Sequence, residues 1–435
     1  MQVSVESTGT LERRMTITVP EEQVATEVEK RLKSMASRVK VDGFRPGKVP
    51  LSIVRQQYGN QVRMEVAGEI MQSSFYEAVQ QESLKPAGMP SLEPKLIEPG
   101  KGLEFDAVFE VMPEVTLADF DGVEIEKPVT EVADSDIDDT IENIRKQRMD
   151  YEDVDRACAN EDRVNIDFTG EIDGEEFDGG KSEGFPLDLG AGRMIKGFEE
   201  GIIGHSAGDE FALDLAFPED YHANELAGKD VTFTIKINSV QAPKLPEVDD
   251  EFAKSMGIEG GVEALRAEIK KNMDREVSNN VETRVKQQVM DSLLELNDIE
   301  APAAMVENES KNLAQQMAQN LQSQGMDPSM MNITGEMYQE QAERRVKLGL
   351  LLSEVVIQKE IKAEEADIRS FVEEMASTYE KPQEVIDWYY ADKNRLSEAE
   401  SLVIERKIVD WALSQAKVTD KQMSVSELMG PAQQQ

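Results

Sequence analysis

The fold is decided in the middle of the chain by the stretch Asp162-Arg163-Val164-Asn165-Ile166-Asp167-Phe168-Thr169-Gly170 and the following Asp173-Gly174-Glu175-Glu176-Phe177-Asp178. Val164, Ile166 and Phe168 alternate with polar residues, which predicts a half-buried β-strand. The run Val231-Thr232-Phe233-Thr234-Ile235-Lys236-Ile237 alternates in the same way. Asp173-Gly174 and Gly179-Gly180 are typical of turns between such strands. The sequence therefore predicts a compact, mostly antiparallel β domain with a short helix over residues 150–245, closed by Pro243 and Pro246.

Further motifs follow in this region: Phe185-Pro186-Leu187-Asp188-Leu189-Gly190, Met194-Ile195-Lys196-Gly197-Phe198-Glu199-Glu200-Gly201 and Phe217-Pro218-Glu219-Asp220-Tyr221-His222. In order and spacing, residues 150–245 resemble the FKBP family of peptidyl-prolyl isomerases. The resemblance implies a pocket lined by Phe168, Phe177, Asp178, Phe185, Ile195, Phe198, Tyr221, His222 and Phe233. It implies that Phe198 forms the pocket floor, where many members have Trp, and that the Ile195 N–H binds the substrate carbonyl. Asp178 would support the twisted amide, and Tyr221 and His222 would line the rim.

The chemistry of prolyl isomerisation agrees with this composition. No bond breaks, so no nucleophile is needed, but the planar amide must lose resonance across a barrier of about 18–20 kcal/mol. An apolar pocket that excludes water favours the less conjugated twisted amide, and a backbone N–H can hold its carbonyl. The alternative is that these aromatic residues are only the core of a small β domain.

Other chemistries find little support in the sequence. Two His and one Cys do not make a metal site, so neither a metal nor a cofactor is expected. No Gly-rich phosphate-binding loop with a following Lys-Ser/Thr occurs. Cys158 has acidic neighbours, Asp155, Glu161 and Asp162, and no neighbour that would stabilise a thiolate.

The residues on either side of this domain have different periodicities. Residues 1–112 read as α+β: Met15, Ile17 and Val19 predict a strand, and apolar steps of three and four at 24–39 and 62–79 predict two helices. Residues 103–111 predict another strand. Residues 113–149 read as a connector whose helix is capped by Asp134 or Ser135.

Residues 246–435 are predicted to be helical, with helices at 302–324, 335–361, 364–380 and 395–417. Twelve of the 21 Met residues lie in this part. Flexible Met side chains suit a surface that accepts many apolar partners, although each of them also fits an ordinary helical core.

The charge distribution singles out one loop. The net charge is -40, yet Arg13–Arg63 holds 11 basic and 5 acidic residues, whereas residues 150–245 hold 8 basic and 23 acidic ones. Within the basic region, Gly43-Phe44-Arg45-Pro46-Gly47-Lys48-Val49-Pro50 separates the two predicted helices. Such a basic patch suggests docking on a specific polyanion, because the rest of the chain repels polyanions. An ordinary surface fluctuation is the alternative.

Over its whole length the sequence resembles the trigger factor family. The motifs that carry this resemblance are Met1-Gln2-Val3-Ser4-Val5-Glu6, the loop at 43–50, Asn165-Ile166-Asp167-Phe168-Thr169-Gly170, Glu374-Met375-Ala376-Ser377 and Glu427-Leu428-Met429. The resemblance implies that Phe44, Arg45 and Lys48 bind the ribosome at a tunnel-rim protein and neighbouring rRNA. Many members have Lys where this chain has Pro46, so one positive charge is missing from the loop.

The resemblance also implies the architecture: a multidomain α+β fold with an α+β docking domain (1–112), a connector (113–149), an FKBP-like antiparallel β domain with a short helix (150–245) and an all-α body with arms (246–435). The function implied is that of an ATP-independent chaperone of nascent and unfolded chains, with peptidyl-prolyl isomerase activity, assistance to protein export and a weak homodimer off the ribosome. The lone Cys, the absence of an apolar span and the polar start of the sequence favour a cytoplasmic protein without membrane contact.

Two alternatives from other functional classes stay open. One is a free cytosolic isomerase whose flanking helices serve only oligomerisation, which leaves the basic loop unexplained. The other is a structural assembly protein with a degenerate isomerase fold. Co-sedimentation with ribosomes would argue against the free isomerase, and isomerisation of a prolyl peptide would argue against the structural assembly protein.

Overall fold

A computed structural model describes residues 1–40, 44, 49–219, 221, 223, 226–331, 333–379 and 381–430, without the side chains of Asp178 and Met330. The chain forms two compact units, each built from separate segments. The first unit comprises Met1–Lys127 and Thr283–Lys421, and the second Pro128–Glu282 and Gln422–Gln435. None of the helices in the described part of the chain combines the length and the apolar character that a membrane crossing requires.

The N-terminal region is an antiparallel sheet with two helices. Its elements are β1 (Gln2–Ser7), β2 (Glu12–Val19), α1 (Glu21–Ala36), α2 (Leu51–Gln81), β3 (Ser91–Leu96) and β4 (Leu103–Glu110). The strands lie in the order β1-β2-β4-β3. Met15, Ile17 and Val19 are buried, as their alternation predicts, and pack with Phe75 and Phe105 in one core. The second helix begins at Leu51, eleven residues before its predicted apolar stripe at Val62.

The connector contains β5 (Glu124–Val129) and α3 (Asp134–Gln147). The predicted cap of α3 is wrong, because Asp134 is already helical and the helix is capped at Ala133. Asp136 reaches back and accepts the Ala133 N–H at 2.9 Å, so the side chain that closes this helix end lies inside its first turn.

The middle of the chain is a five-stranded antiparallel sheet with one short helix. Its elements are β6 (Asp150–Asp153), β7 (Arg163–Ile172), β8 (Glu175–Asp188), α4 (Phe198–Ile202), β9 (Glu210–Ala216) and β10 (Asp230–Lys244). The long β10 pairs with β7 on one side and with β6 and β9 on the other, while β8 extends the sheet beyond β7. This is the antiparallel β domain with a short helix that the sequence predicts.

The predicted turn at Gly179-Gly180 is wrong, because both glycines lie inside β8. The register against β7 shifts there: Thr169 faces Lys181, whereas Glu171 faces Glu176. The extra residues of β8 form a bulge, and Gly179 takes a positive φ of 80° within it. A bulge needs glycine for the same steric reason as a turn, so sequence alone does not separate the two.

The remaining elements are mostly helical: α5 (Asp250–Ser255), α6 (Gly261–Leu296), α7 (Ala303–Ser323), α8 (Gln339–Gln358), α9 (Glu365–Ala376), α10 (Pro382–Tyr390), α11 (Lys393–Gln415), β11 (Lys417–Gln422) and α12 (Val425–Met429). Short 3-10 turns occupy Pro328–Met331 and Gly335–Tyr338. The sequence does not predict α10 or β11. Every residue of β11 is exposed, so no apolar alternation marks this strand, which pairs with β5.

Candidate functional site

The middle domain encloses a cluster of aromatic rings around Phe198. This side chain has no exposed surface, and its ring centroid lies 5.0 Å from that of Phe233 and 5.9 Å from that of Phe168. Phe168 also contacts Phe185, at 5.8 Å. All of these ring pairs meet edge to face, an arrangement favourable for aromatic quadrupoles. The structure therefore brings together four of the predicted pocket residues.

Phe177 reaches this cluster because of the bulge in β8. Its ring contacts Phe233 at 6.3 Å and lies over two glycines, Gly170 and Gly180. A Cβ atom at either glycine would come within 2.7 Å of the Phe177 ring, well inside van der Waals contact. Both positions therefore need glycine so that the ring can lie against the backbone.

Phe217 also belongs to this ring cluster, although it is not among the pocket residues predicted from the sequence. Its buried ring lies 5.8 Å from the Phe177 ring and 4.8 Å from the Tyr221 ring, so it joins these two predicted residues. Phe217 opens one of the motifs that resemble the FKBP family, so the sequence does contain a signal for it. The side chain of Asp178 and all of His222, two further predicted residues, lie outside the described residues.

Ile195 is half-buried at the edge of the ring cluster. Its carbonyl oxygen accepts the Phe198 N–H at 3.0 Å. Within the described part of the chain, the Ile195 N–H donates no hydrogen bond. A backbone donor beside an apolar, ring-lined pocket can hold a substrate carbonyl.

Cys158 belongs to the core of the domain. It is buried, and its Sγ donates to the Ile202 carbonyl at 3.0 Å. Burial raises the pKa of the thiol above its ordinary value, which disfavours the reactive thiolate. Its environment gives it no role in nucleophilic chemistry.

A second aromatic surface lies among α9, α10 and the turn between them. A groove of about 650 Å³ is lined by Met375, Tyr379, Lys381, Glu384, Val385, Trp388 and Tyr389. Unlike the rings of the pocket, Tyr379 and Trp388 are 58% and 53% exposed. Sequence reasoning placed an adaptable apolar surface in the helical body but did not identify this groove, since α10 was not predicted.

Trp388 is held in place although it is exposed. The Arg395 guanidinium carbon lies 3.9 Å from the ring centroid, and Arg395 Nη1 donates to the Trp388 carbonyl at 2.8 Å. The cation over one ring face fixes the indole without covering it by apolar groups. Tyr389 packs edge to face against the same ring, at 5.2 Å.

Exposed methionines lie elsewhere in the helical part. Met317 in α7, Met326 just after this helix, and Met331 and Met337 in the two 3-10 turns are all exposed. Flexible thioether side chains on a surface can adapt to apolar partners of different shape.

The basic loop between α1 and α2 is described only in part. Phe44 is 39% exposed, whereas Arg45 and Lys48 lie outside the described residues. The two helices are tied together below the loop by Arg63, whose Nη1 and Nη2 donate to the two Glu21 carboxylate oxygens at 3.0 and 2.7 Å. These hydrogen bonds from Arg63 hold the pKa of Glu21 below its usual value.

Three family models match the chain. One described as bacterial trigger factor protein (TF) matches residues 1–144, one described as bacterial trigger factor protein (TF) C-terminus matches 261–414, and one described as FKBP-type peptidyl-prolyl cis-trans isomerase matches 154–238. Trigger factor of Stutzerimonas stutzeri is 52% identical over the whole chain and 99% of that protein. The chain belongs to the trigger factor family. The predicted family is thereby confirmed.

Other members of the trigger factor family are nearly as similar. The Pseudomonas putida and Pseudomonas syringae trigger factors are 50% and 49% identical over the whole chain and 99% of each relative. A solved trigger factor structure, described for promiscuous substrate recognition in folding and assembly, is 18% identical with a TM-score of 0.47, covering 95% of this chain and all of that one. The identity to curated trigger factors and the match to the FKBP-type isomerase model together show that the protein is a chaperone and a peptidyl-prolyl cis–trans isomerase, as predicted.

Proposed function

We propose that the protein is an ATP-independent, ribosome-associated chaperone whose three activities reside in different segments. Residues 1–112 dock at the exit tunnel, residues 150–245 isomerise X–Pro bonds, and the helices of 246–435, with the connector 113–149, hold apolar segments of nascent chains. The observation that carries this proposal is the presence in one chain of an enclosed cluster of aromatic rings and an open aromatic groove. The first suits one bond of a substrate, and the second suits many different segments.

Isomerisation is proposed to take place against the enclosed rings. A prolyl ring that packs on the half-buried edge of the cluster, with Phe198 and Phe233 beneath it, would be removed from water, and the apolar walls would favour the twisted amide over the conjugated planar one. The Ile195 N–H would hold the carbonyl that precedes proline. Phe168, Phe177, Phe185 and Tyr221 would complete the wall, with Asp178 beside the amide and His222 at the rim.

Client binding is proposed to use the open groove and the exposed methionines of the helical part. Trp388, Tyr379 and Val385 offer an apolar floor, while Lys381 and Glu384 at its border are polar. Each contact would be weak, and affinity would come from several such sites acting on one tethered chain. Release then needs no energy source, which is consistent with the absence of a Gly-rich phosphate loop from the sequence.

Docking is proposed to rest on Phe44, Arg45 and Lys48. The support is an exposed ring in a loop with two cations, in the basic region of a chain of net charge -40. Replacing all three with Ala should abolish co-sedimentation with ribosomes without changing helix content. Added salt should weaken wild-type binding, since contacts to phosphates release counterions.

A matched control removes the same two charges from the neighbouring helix. Lys30 and Lys33 are exposed on α1, and among the described residues their ion pairs are with Glu27 and Glu29 of the same helix. The double variant Lys30→Ala, Lys33→Ala should keep most of the ribosome affinity. Full binding by the loop variant, or an equal loss in both variants, would overturn the assignment of docking to the loop and favour the free isomerase.

The cellular setting follows from this role. We infer a cytoplasmic location, because nascent chains leave the ribosome there, together with assistance to protein export and a weak homodimer off the ribosome. Sedimentation of the purified protein over a range of concentrations tests the dimer: a single monomeric species throughout would exclude it.

A further inference from the structure

Glu199 is a buried carboxylate at the heart of the isomerase domain. It is only 5% exposed, although it lies one residue after the proposed pocket floor. Its Oε2 accepts the N–H groups of Gly190 and Gly192 at 2.8 and 3.0 Å. Its Oε1 accepts those of Arg193 and Met194 at 2.8 and 3.1 Å. One side chain therefore binds four backbone donors of the loop that runs into Ile195.

The loop takes its shape around this carboxylate. Gly190 and Gly192 have φ values of +90° and +65°, which L side chains rarely adopt. These left-handed residues let successive N–H groups turn towards one point, forming a concave nest for an anion. In most such nests a ligand supplies the anion, but here the chain supplies its own.

The electrostatics of the site agree with a permanent anion. Burial opposes ionisation of Glu199, but the hydrogen bonds from Gly192, Met194, Arg193 and Gly190 together outweigh it and hold the pKa of the carboxyl below its usual value. The carboxylate is therefore charged at neutral pH, and hydrogen bonds to a charged acceptor are stronger than neutral ones.

Ile195 follows directly on this anchored loop. The N–H groups up to Met194 are bound by Glu199, and the Ile195 carbonyl is bound by the Phe198 N–H at 3.0 Å. Among the residues that the structure describes, the Ile195 N–H between these anchors has no acceptor. The backbone on both sides of this donor is thus fixed, while the donor itself stays available to a substrate.

We propose that Glu199 is a positioning residue for prolyl isomerisation, which fixes the loop at 190–194 so that the Ile195 N–H is already oriented towards the substrate carbonyl. A donor oriented in advance needs no reorganisation as the amide twists, so it acts mainly on the transition state. The inference rests on the proposed role of the Ile195 N–H. It adds a residue that does not touch the substrate and acts only through the loop.

The test is Glu199→Gln in the full chain, which keeps the side-chain shape but sets an amide NH₂ against backbone donors. With an X–Pro peptide, kcat should fall about tenfold, less than the loss of a whole donor causes, and KM should change less than about twofold. Amide hydrogen exchange at residues 190 and 192–194 should become faster, while exchange in β7 and β10 should not. Glu199→Asp keeps the charge but is one methylene shorter, so its kcat should lie between that of the wild type and that of Glu199→Gln.

Asp162→Asn is the matched control. Asp162 is an equally buried carboxylate of the same domain, paired with Arg156 at 2.6 Å. This variant should lower thermal stability but leave kcat unchanged well below the unfolding temperature. If Glu199→Gln is too unstable to assay, Glu199→Asp carries the same comparison.

Two outcomes would overturn the proposal: a wild-type kcat in both Glu199 variants, or a fall in kcat of the same size in Asp162→Asn. Phe233→Ala, measured alongside, keeps the pocket assignment separate. If Phe233→Ala loses activity and the Glu199 variants do not, the pocket stands and only the positioning role fails. If Phe233→Ala is fully active, the proposed pocket itself is wrong.

Discussion

The pocket around Phe198 and the groove around Trp388 use the same kind of side chain in opposite ways. In the ring cluster around Phe198 each ring is buried or half-buried against other rings, with centroids 5.0–6.3 Å apart. In the groove Trp388 has Arg395 on one face and remains 53% exposed. The rings around Phe198 thus support one another, whereas Trp388 is supported by a cation, by a hydrogen bond to its carbonyl and by the edge of Tyr389, which itself packs on a small apolar core.

The difference shows what each surface can recognise. An enclosed set of rings imposes one geometry and excludes water, which suits the twisting of a single amide. An open aromatic surface leaves the partner free to choose its pose, which suits weak contacts with many sequences. The proposed division between catalysis and client binding therefore rests on how the rings are supported and exposed, not on aromatic content alone.

The strongest test of this division replaces residues 150–245 with a short Gly/Ser linker. Asp150 and Lys244, at the two ends of the replaced segment, are register partners in β6 and β10 and lie roughly 5 Å apart, so a short linker can join the residues that flank them. Isomerisation of X–Pro peptides should vanish completely, while suppression of aggregation of a refolding enzyme should persist. If the isolated domain 150–245 prevented aggregation as well as the full chain, client binding would have to be assigned to the pocket.

Phe198→Ala should produce the next largest effect. The side chain is fully buried among rings, so its loss should lower the free energy of unfolding of this domain by about 3–5 kcal/mol. Phe198→Leu fills most of the space and should stay folded, yet reduce kcat/KM for prolyl peptides by roughly tenfold. Thermal unfolding and a peptide assay measure the two effects, and wild-type activity in Phe198→Leu would contradict the proposed pocket floor.

In the groove, the double variant Tyr379→Ala, Trp388→Ala should weaken client binding roughly tenfold, or about 1–2 kcal/mol, measured as the Kd for an unfolded protein. Stability should hardly change, because both side chains are largely exposed. Tyr76→Ala is the control, since Tyr76 is also 53% exposed but lies on α2. Equal weakening by Tyr76→Ala would mean that exposed aromatic surface in general, rather than this groove, binds clients.

Changes in pH should have only a small effect on isomerase activity. No proton moves during isomerisation, so kcat/KM should vary less than about twofold between pH 6 and 8, with His222 as the one exception foreseen from the sequence. A bell-shaped profile of kcat/KM against pH would indicate a different chemistry.

The folding stability of this domain should depend on pH only in the acid range. The pKa values of Glu199 and Asp188 are both held below normal, by backbone donors and by Arg163 respectively. The contribution of these two carboxylates to stability is present above about pH 4 and is lost only as the pH falls through their folded pKa values.

Cys158→Ser should be close to silent in the same peptide assay. The Ser hydroxyl can still donate to the Ile202 carbonyl, so the core contact survives the substitution. A loss of isomerase activity without a loss of thermal stability would contradict a purely structural role for this residue.

The sequence predicts the ring cluster well because Phe168, Phe198 and Phe233 lie on regular strands or at a helix start, where period and motif define the buried face. It does not predict how Phe177 enters the pocket, since the bulge at Gly179-Gly180 has the signature of a turn. The groove is missed because it depends on α10, a helix of nine residues with one Pro at its start. The burial of Glu199 cannot be predicted from the sequence, because its four backbone partners come together only in the folded loop.

The pairing of β5 with β11 has a consequence for the protein's own synthesis. Lys417 forms an ion pair with Glu124 across a separation of 293 residues, and both compact units are built from distant segments. The isomerase domain is contiguous and can fold as soon as it has left the tunnel, but neither unit is complete until the strand at Lys417–Gln422 has been translated. At typical elongation rates of about 5–20 residues per second, β5 therefore waits on the order of tens of seconds without its partner. A new copy of this chaperone spends that time as an incompletely folded chain, which is the state of a protein on which a chaperone acts.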